Sequence, residues 1–239
     1  MVIELEQYEE RVIVFIDILG FREHVKRTVT EPDYFLKLRN VLNFISGLKS
    51  DKLDKEIGKE VTVFSDSIVI SYPAQLSGSV FWLLLDVVHL QMDMMANGVL
   101  VRGGVTVGQL CHNDSIVYGP AMVEAYELES KAAIYPRVVI NNKIFETAVM
   151  YPHNSPEEDL EYILDLCDQD RDGLWYVDFL RQQQEVEYEY DFAKALITIK
   201  KIIINEIEKN KSKPNVWMKY QWLKNYYNEV VIDSVKIPD

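Results

Sequence analysis

Apolar residues follow two rhythms along this chain. From 12 to 18 they run almost unbroken, as Val-Ile-Val-Phe-Ile-Asp-Ile, the pattern of a central strand buried on both faces. Gly20 breaks the run. Residues 21–29 and 34–48 then repeat apolar positions at helical spacing, with Pro32 and Asp33 at the boundary. Residues 61–64 and 68–72 are two further strand-like runs around Ser65-Asp66-Ser67, the pattern of a hairpin. A strongly apolar helix is predicted over 79–95. Its Asp86, His89, Asp93 and Asn97 recur at helical spacing and form a polar stripe, so it reads as a buried amphipathic helix and not a membrane span. His89 on that stripe reads as a solvated or hydrogen-bonded residue rather than a ligand.

Residues 99–110 make a glycine-punctuated strand that turns at Asn113-Asp114. Pro120 sits near the first turn of another helix, where its missing N–H costs little. Pro136 precedes a strand over 137–140. The order is β-α-β-β-α-β with an added α-β, which is that of a ferredoxin-like palm, a mixed α/β (α+β) fold. Beyond residue 150 the pattern changes. Residues 152–159 form a polar, proline-marked linker, 175–180 a strand, and 190–209 a helix that ends at Lys211-Ser212-Lys213-Pro214. Trp217, Tyr220, Trp222, Leu223, Tyr226 and Tyr227 make the last helix aromatic. It reads as packing against the palm or as a dimer or partner surface, and the sequence leaves both open. The chain thus divides into a palm domain over 1–150 and a mainly helical C-terminal extension over 151–239.

The formal charge of −13 on 239 residues argues against nucleic acid or an anionic membrane as main partner. Cys111 and Cys167 make no disulfide framework and no zinc-ligand spacing, so a reducing cytoplasm is the simplest setting. The acidic first ten residues are not a signal peptide. Asp168-Gln169-Asp170-Arg171-Asp172-Gly173 imitates half of an EF-hand loop. Phe179 stands where that loop needs its bidentate Glu, so an acidic turn is the better reading.

Two aspartates carry the chemistry. Asp17 and Asp66 each lie within an apolar strand-like run, beside small turn-forming residues. A carboxylate there is costly to desolvate without a partner. One such Asp is as well read as a turn or cap residue. Two of them suggest a shared cation, since paired carboxylates holding two Mg²⁺ or Mn²⁺ ions activate an oxygen nucleophile against a phosphoryl group. A nucleotide remains a possible substrate for so acidic a chain, because bound metal ions invert the local field.

Phe15-Ile16-Asp17-Ile18-Leu19-Gly20-Phe21 resembles the first metal motif of class III nucleotidyl cyclases, F-x-D-I-x-G-F. Phe64-Ser65-Asp66-Ser67 is similar to the second, where Gly-Asp usually stands in a hairpin. Arg102-Gly103-Gly104-Val105-Thr106-Val107-Gly108 looks like the R-x-G-[IV]-x-x-G strand. The run from Gly119 to Ser130 tracks the helix G-x-x-V-N-x-A-x-R-L-E-S. The blocks keep family order over roughly residues 10 to 150. The chain looks most like the pyrimidine cyclases of bacterial Pycsar antiphage systems.

The resemblance implies that a nucleoside triphosphate is cyclised by attack of its 3′-hydroxyl on the α-phosphorus, with loss of pyrophosphate. Asp17 and Asp66 would bridge two Mg²⁺ or Mn²⁺ ions, with the Ile18 carbonyl completing one shell. The N–H groups of Leu19, Gly20 and Phe21, at a helix start, would face phosphate. Arg137 would hold the triphosphate, or is only a salt-bridge partner at the surface. Arg102 reads first as structural. Thr62 stands where purine cyclases read the base with Lys or Glu, and Ile116 near the second base-reading position. The family completes its sites between two palms, which implies a homodimer. Two departures matter: Val123 and Glu127 occupy the places of the family's Asn and transition-state Arg. Three readings follow: a pyrimidine-nucleotide cyclase in antiphage signalling, a silent cyclase-like module that binds a nucleotide or partner, or a palm nucleotidyltransferase that joins two nucleotides. The absence of a Gly-Gly-Asp-Glu-Phe hairpin weighs against diguanylate synthesis.

Overall fold

The computed structural model describes residues 8–48, 50, 52–185 and 189–238. The acidic start lies outside them as far as residue 7. Strand β1 (Glu9–Ile18) occupies the middle of the sheet. Its residues 12–16 are apolar on both faces and all are buried, so each face needs cover. Helices α1 (Phe21–Thr30), α2 (Pro32–Gly47) and α3 (Lys52–Glu56) follow. Strands β2 (Glu60–Phe64) and β3 (Ser67–Pro73) form the hairpin, α4 (Ser79–Ala96) crosses back, and β4 (Val101–His112) returns beside β1. The resulting neighbours β2-β3-β1-β4 are all antiparallel, the order expected of a ferredoxin-like palm.

A short β5 (Val117–Tyr118) pairs with the end of β4. Next come α5 (Pro120–Glu127), a π-helical turn over Leu128–Ala132, β6 (Val138–Ile140), α6 (Lys143–Met150) and α7 (Pro156–Asp165). Strand β6 joins β4 in parallel. Strands β7 (Cys167–Gln169) and β8 (Trp175–Val177) then continue the sheet as β6-β8-β7. Helices α8 (Glu189–Lys209) and α9 (Pro214–Val230) pack against each other, and α8 also packs on α4.

The chain past residue 150 therefore adds strands as well as helices. The proline-marked segment is only partly a linker. Ser155 caps α7 by accepting from the Glu158 N–H at 3.2 Å, and Pro156 takes the first helical position. The strand expected over 175–180 stops at Val177 and gives way to a 3₁₀ turn over Phe179–Arg181.

The two faces of the sheet differ. Val12, Val14, Ile16 and Ile18 point into the large core with α2, α4 and the C-terminal helices. Ile13 and Phe15 point the other way, into a small cluster with Val69, Leu110, Ala121 and Ala125 under α5. Two members of the polar stripe of α4 are satisfied within the protein. Asp86 accepts from the Tyr72 hydroxyl at 2.6 Å and pairs with Lys59 at 2.9 Å, and His89 Nε2 donates to the Glu185 carbonyl at 2.9 Å. Among the described residues α4 alone is long and apolar enough to cross a membrane, and most of it is buried in the core. Cys111 and Cys167 are buried free thiols.

Candidate functional site

Alternation along β1 places Asp17 on the face of Ile13 and Phe15. The register sets it between Ser67 of β3 and Arg102 of β4. Ser67 Oγ donates to Asp17 Oδ1 at 3.2 Å, and Arg102 Nη2 stands 4.0 Å from Oδ2.

Asp66 reaches the same place from the hairpin loop. Phe64 pairs with Ser67, so Ser65 and Asp66 form a two-residue turn. Ser65 has φ 56°, and it is the one non-glycine with positive φ among the described residues. Such hairpin turns favour Gly at that first central position, and holding Ser there costs about 1 kcal/mol. The Asp66 carbonyl accepts from the Ile18 N–H at 3.2 Å, which ties the turn to the end of β1. The two carboxyl groups lie side by side. Burial first, and the charge of Asp66 second, push Asp17 up to about 6, against the pull of the Ser67 hydroxyl and Arg102.

A third carboxylate was missed by sequence reasoning. Glu129, in the π turn, is 2 % exposed and sits 2.6 Å from Arg102 Nε. The two atoms form no hydrogen bond, so the contact is an ion pair alone. Burial pushes Glu129 up to about 7; Arg102 opposes this, and Asp17 and Asp66 add to it. Gly104 makes the close approach possible. A Cβ there would stand 2.4 Å from Leu128 Cβ and 2.6 Å from the Ala125 carbonyl oxygen. The signal for Glu129 was its place in the Leu-Glu-Ser end of the helix motif, which carried no expectation of its own.

The β1–α1 turn divides the expected phosphate donors. Leu19 N–H is already spent on the Leu100 carbonyl at 2.9 Å, so Leu19 is corrected to a structural role. Gly20, at φ 76°, caps α1 with its carbonyl, which accepts from Glu23 and His24. The N–H groups of Gly20 and Phe21 make no hydrogen bond among the described residues and stand at the positive end of α1.

Arg137 is also corrected. It is 0 % exposed, and its guanidinium is clamped by Asp170 and Asp172 beside the stacked rings of Tyr135 and Trp222. A cation so enclosed is not offered to a triphosphate. The EF-hand-like loop is filled by this guanidinium. Thr62 does share the face of Asp17, two residues further along β2. Its hydroxyl lies 2.9 Å from His112 Nε2, whose Nδ1 is 2.8 Å from Ser71 Oγ, itself bonded by Arg11. Ile116 is 46 % exposed. Of the two departures on α5, Val123 is 59 % exposed and Glu127 is paired with Lys131 at 2.6 Å.

No group of three or more His, Cys, Asp or Glu residues among those described is placed to hold a metal ion. The donors here are the pair Asp17 and Asp66. Two neighbouring carboxyl groups, of which Asp17 is raised by burial first and by the charge of Asp66 second, suit a divalent cation by charge and by oxygen chemistry.

No protein-family model and no curated protein matches the sequence. Among solved structures, the chain is similar to the monomeric guanylyl cyclase domain of the RhoGC fusion protein from the aquatic fungus Blastocladiella emersonii. That likeness has 17 % identity, covers 72 % of this chain and 95 % of that one, and has a TM-score of 0.46. A bacterial light-regulated adenylyl cyclase is 14 % identical over 81 % of this chain and 100 % of that one, with a TM-score of 0.40. A class III adenylyl cyclase-like ATP-binding protein from Pseudomonas aeruginosa is 13 % identical over 65 % and 40 %, with a TM-score of 0.41. Likenesses of this degree assign neither family nor activity, and the site is read from its own residues.

Proposed function

We propose that the chain is a metal-dependent nucleotidyl cyclase. Its substrate is a nucleoside triphosphate, by our reading a pyrimidine one, and its products are a 3′,5′-cyclic nucleotide and pyrophosphate. The observation that carries the reading is the convergence of Asp17 and Asp66 at one end of the sheet, with Arg102 and the open N–H groups of Gly20 and Phe21 around them. The four motif blocks that resemble class III cyclases fall on the elements that build this corner.

In the reaction, the 3′-oxygen forms a bond to the α-phosphorus, the bond from that phosphorus to the bridging oxygen of the β-phosphate breaks with its electron pair leaving on pyrophosphate, and the hydroxyl proton passes to solvent water. Asp17 and Asp66, with the Ile18 carbonyl, would hold Mg²⁺ or Mn²⁺. A bound ion supplies acidification of the hydroxyl and neutralisation of the triphosphate. Gly20 and Phe21 donate to phosphate oxygens at the positive end of α1. Arg102 sets a guanidinium beside Asp17, where charge builds on the departing pyrophosphate.

The pyrimidine preference rests on Thr62, a short hydroxyl-bearing residue fixed by His112 at the place of the purine-reading Lys or Glu. The antiphage role rests on the resemblance alone. A homodimer is supported by exposed apolar residues on the face of the sheet that carries Asp17: Phe64 beside the Asp66 turn, and Val123 and Tyr126 on α5. One observation favours a second reading, a silent nucleotide-binding module: α5 offers Val123 and Glu127 where the resembling family has Asn and Arg. Incubation with each of the four nucleoside triphosphates and Mn²⁺, followed by separation of products, decides between them. A cyclic pyrimidine nucleotide supports the first reading, and nucleotide binding without any cyclic product supports the second.

A further inference from the structure

Helix α9 carries Lys219, Trp222 and Tyr226 at spacings of three and four, so the three side chains share one face. The last two fix that face against the sheet. Trp222 Nε1 donates to Asp170 Oδ2 at 2.6 Å, and its ring stacks on Tyr135 with centroids 5.5 Å apart and planes 4° from parallel. The buried Tyr226 hydroxyl donates to Asp178 Oδ1 at 2.6 Å and accepts from the Leu180 N–H at 2.9 Å. Lys219, one turn nearer the helix start, continues the face toward the carboxylate corner. It is half-buried, and it forms no hydrogen bond or ion pair among the described residues.

The charges within its reach are Arg102, which repels it, and Glu129, which attracts it; desolvation weighs more than either, and the ammonium sits below its ordinary range. At the other end of α9, Lys213 lies within electrostatic reach of Glu23 in the first turn of α1. Helix α9 therefore runs from α1 past the corner to β8. The corner itself sets three carboxylates, Asp17, Asp66 and Glu129, against one guanidinium that Glu129 already engages. A half-buried ammonium with no partner is costly unless an anion meets it. A long flexible stem ending in a compact charge suits a polyphosphate tail.

We propose that Lys219, supplied within the chain by the C-terminal helix, binds the terminal phosphoryl groups of the substrate. This inference rests on the reading of the corner as a nucleoside triphosphate site. It makes the extension part of the site and fills the role that the enclosed Arg137 leaves open.

The test is calorimetric titration of inorganic tripolyphosphate, with Mg²⁺ present, into the parent protein and into Lys219→Ala and Lys219→Arg. Loss of one charge-assisted contact predicts about tenfold weaker binding in Lys219→Ala, with the thermal midpoint of the ligand-free protein not lowered. Lys219→Arg keeps the charge and is expected to stay within about threefold of the parent. Equal affinity in parent and Lys219→Ala overturns the inference. Equal loss in Lys219→Ala and Lys219→Arg overturns it too, since position and not charge would then matter, and so does a parent protein that binds no tripolyphosphate. The two claims fail separately. If no triphosphate is cyclised but Lys219→Ala loses tripolyphosphate, the reaction falls and the Lys219 site stands. If a cyclic product forms and Lys219→Ala leaves both KM and tripolyphosphate affinity unchanged, only the Lys219 site falls.

Discussion

Asp17 and Arg102 stand directly across from each other on the antiparallel strands β1 and β4, with the guanidinium 4.0 Å from the carboxylate. Arg102 is also 2.6 Å from the buried Glu129, so one cation serves two acids. Removing it alone strands Glu129 in the interior, which costs about 3 kcal/mol. Arg102→Met is therefore expected to lower the thermal midpoint by several degrees. Arg102→Met combined with Glu129→Gln is expected to regain most of that loss but no turnover. Recovery of turnover in the double variant would mean that the guanidinium serves Glu129 alone.

Asp17 makes a prediction with a definite sign. Its carboxyl is raised in the folded protein to about 6, from 3.8. Ionising it therefore costs the folded state, and the cost grows as pH rises from about 4 to 6 and is constant above. Asp17→Asn removes that cost and should stabilise the metal-free protein at pH 7.5 by about 1–2 kcal/mol, after allowance for partial exposure. The gain should vanish near pH 4. Turnover should be abolished, and Mn²⁺ should raise the thermal midpoint of the parent but not of Asp17→Asn. A destabilised Asp17→Asn at pH 7.5 contradicts the argument.

Arg137 is expected to behave as a structural residue. It fastens β6 to the loop between β7 and β8, and through Trp222 to α9. Breaking a buried pair of this kind costs about 3–5 kcal/mol. Arg137→Ala should unfold at markedly lower denaturant. Adding Asp170→Asn and Asp172→Asn should restore part of the loss by removing the stranded charges. The surviving folded fraction should show the parent's apparent KM. A selective rise in KM with unchanged stability would return Arg137 to the substrate.

What the sequence made legible follows from the physics of each signal. The unbroken apolar run at 12–16 could only be a strand covered on both faces, and β1 is that strand. Asp17 and Asp66 stood out because charge inside apolar runs needs a reason, and they do converge. Of the β7–β8 hairpin only β8 was legible; β7 was hidden because a three-residue strand has too few positions to show alternation. Arg137 was misplaced because its partners, Asp170 and Asp172, lie more than 30 residues away and looked like a turn of their own. Glu129 and Lys219 were invisible for a similar reason. A helix residue reveals its neighbours three and four positions away, not the strand or loop it is packed against.

His112 is expected to make the fold sensitive to acid. Burial first, and the charge of Arg11 second, lower it to about 4, while its ring nitrogens meet Thr62 and Ser71. A histidine held neutral in the folded state contributes stability that is lost as pH falls from about 6.5 toward 4. One unit corresponds to about 1.4 kcal/mol, so the loss over that window is about 2–3 kcal/mol. Denaturant titrations at pH 7 and pH 4.5 should show it. In His112→Gln, which keeps a donor and an acceptor but does not titrate, the difference between the two pH values should shrink by that amount. The same slope in parent and variant would place the acid sensitivity elsewhere.

The open face beside the site makes the last prediction. Helix α5 covers Ile13 and Phe15 with Ala121 and Ala125, yet its outer side shows Val123 at 59 % and Tyr126 at 53 % exposure. The Tyr126 ring meets Phe15 edge to face at 5.6 Å, so it is held rather than free to fold away. Phe64, next to the Asp66 turn, is exposed on the same side of the sheet. Apolar groups left exposed on the face that carries Asp17 are a surface that a second palm would cover, and a twofold pair would give two equivalent sites. Val123→Arg places a charge on that exposed face without touching the core. It should shift sedimentation from dimer to monomer and lower specific activity in proportion, with the thermal midpoint of the monomer unchanged. Activity that is independent of protein concentration in the parent, together with a parent that sediments as a monomer, would mean that one chain completes the site by itself.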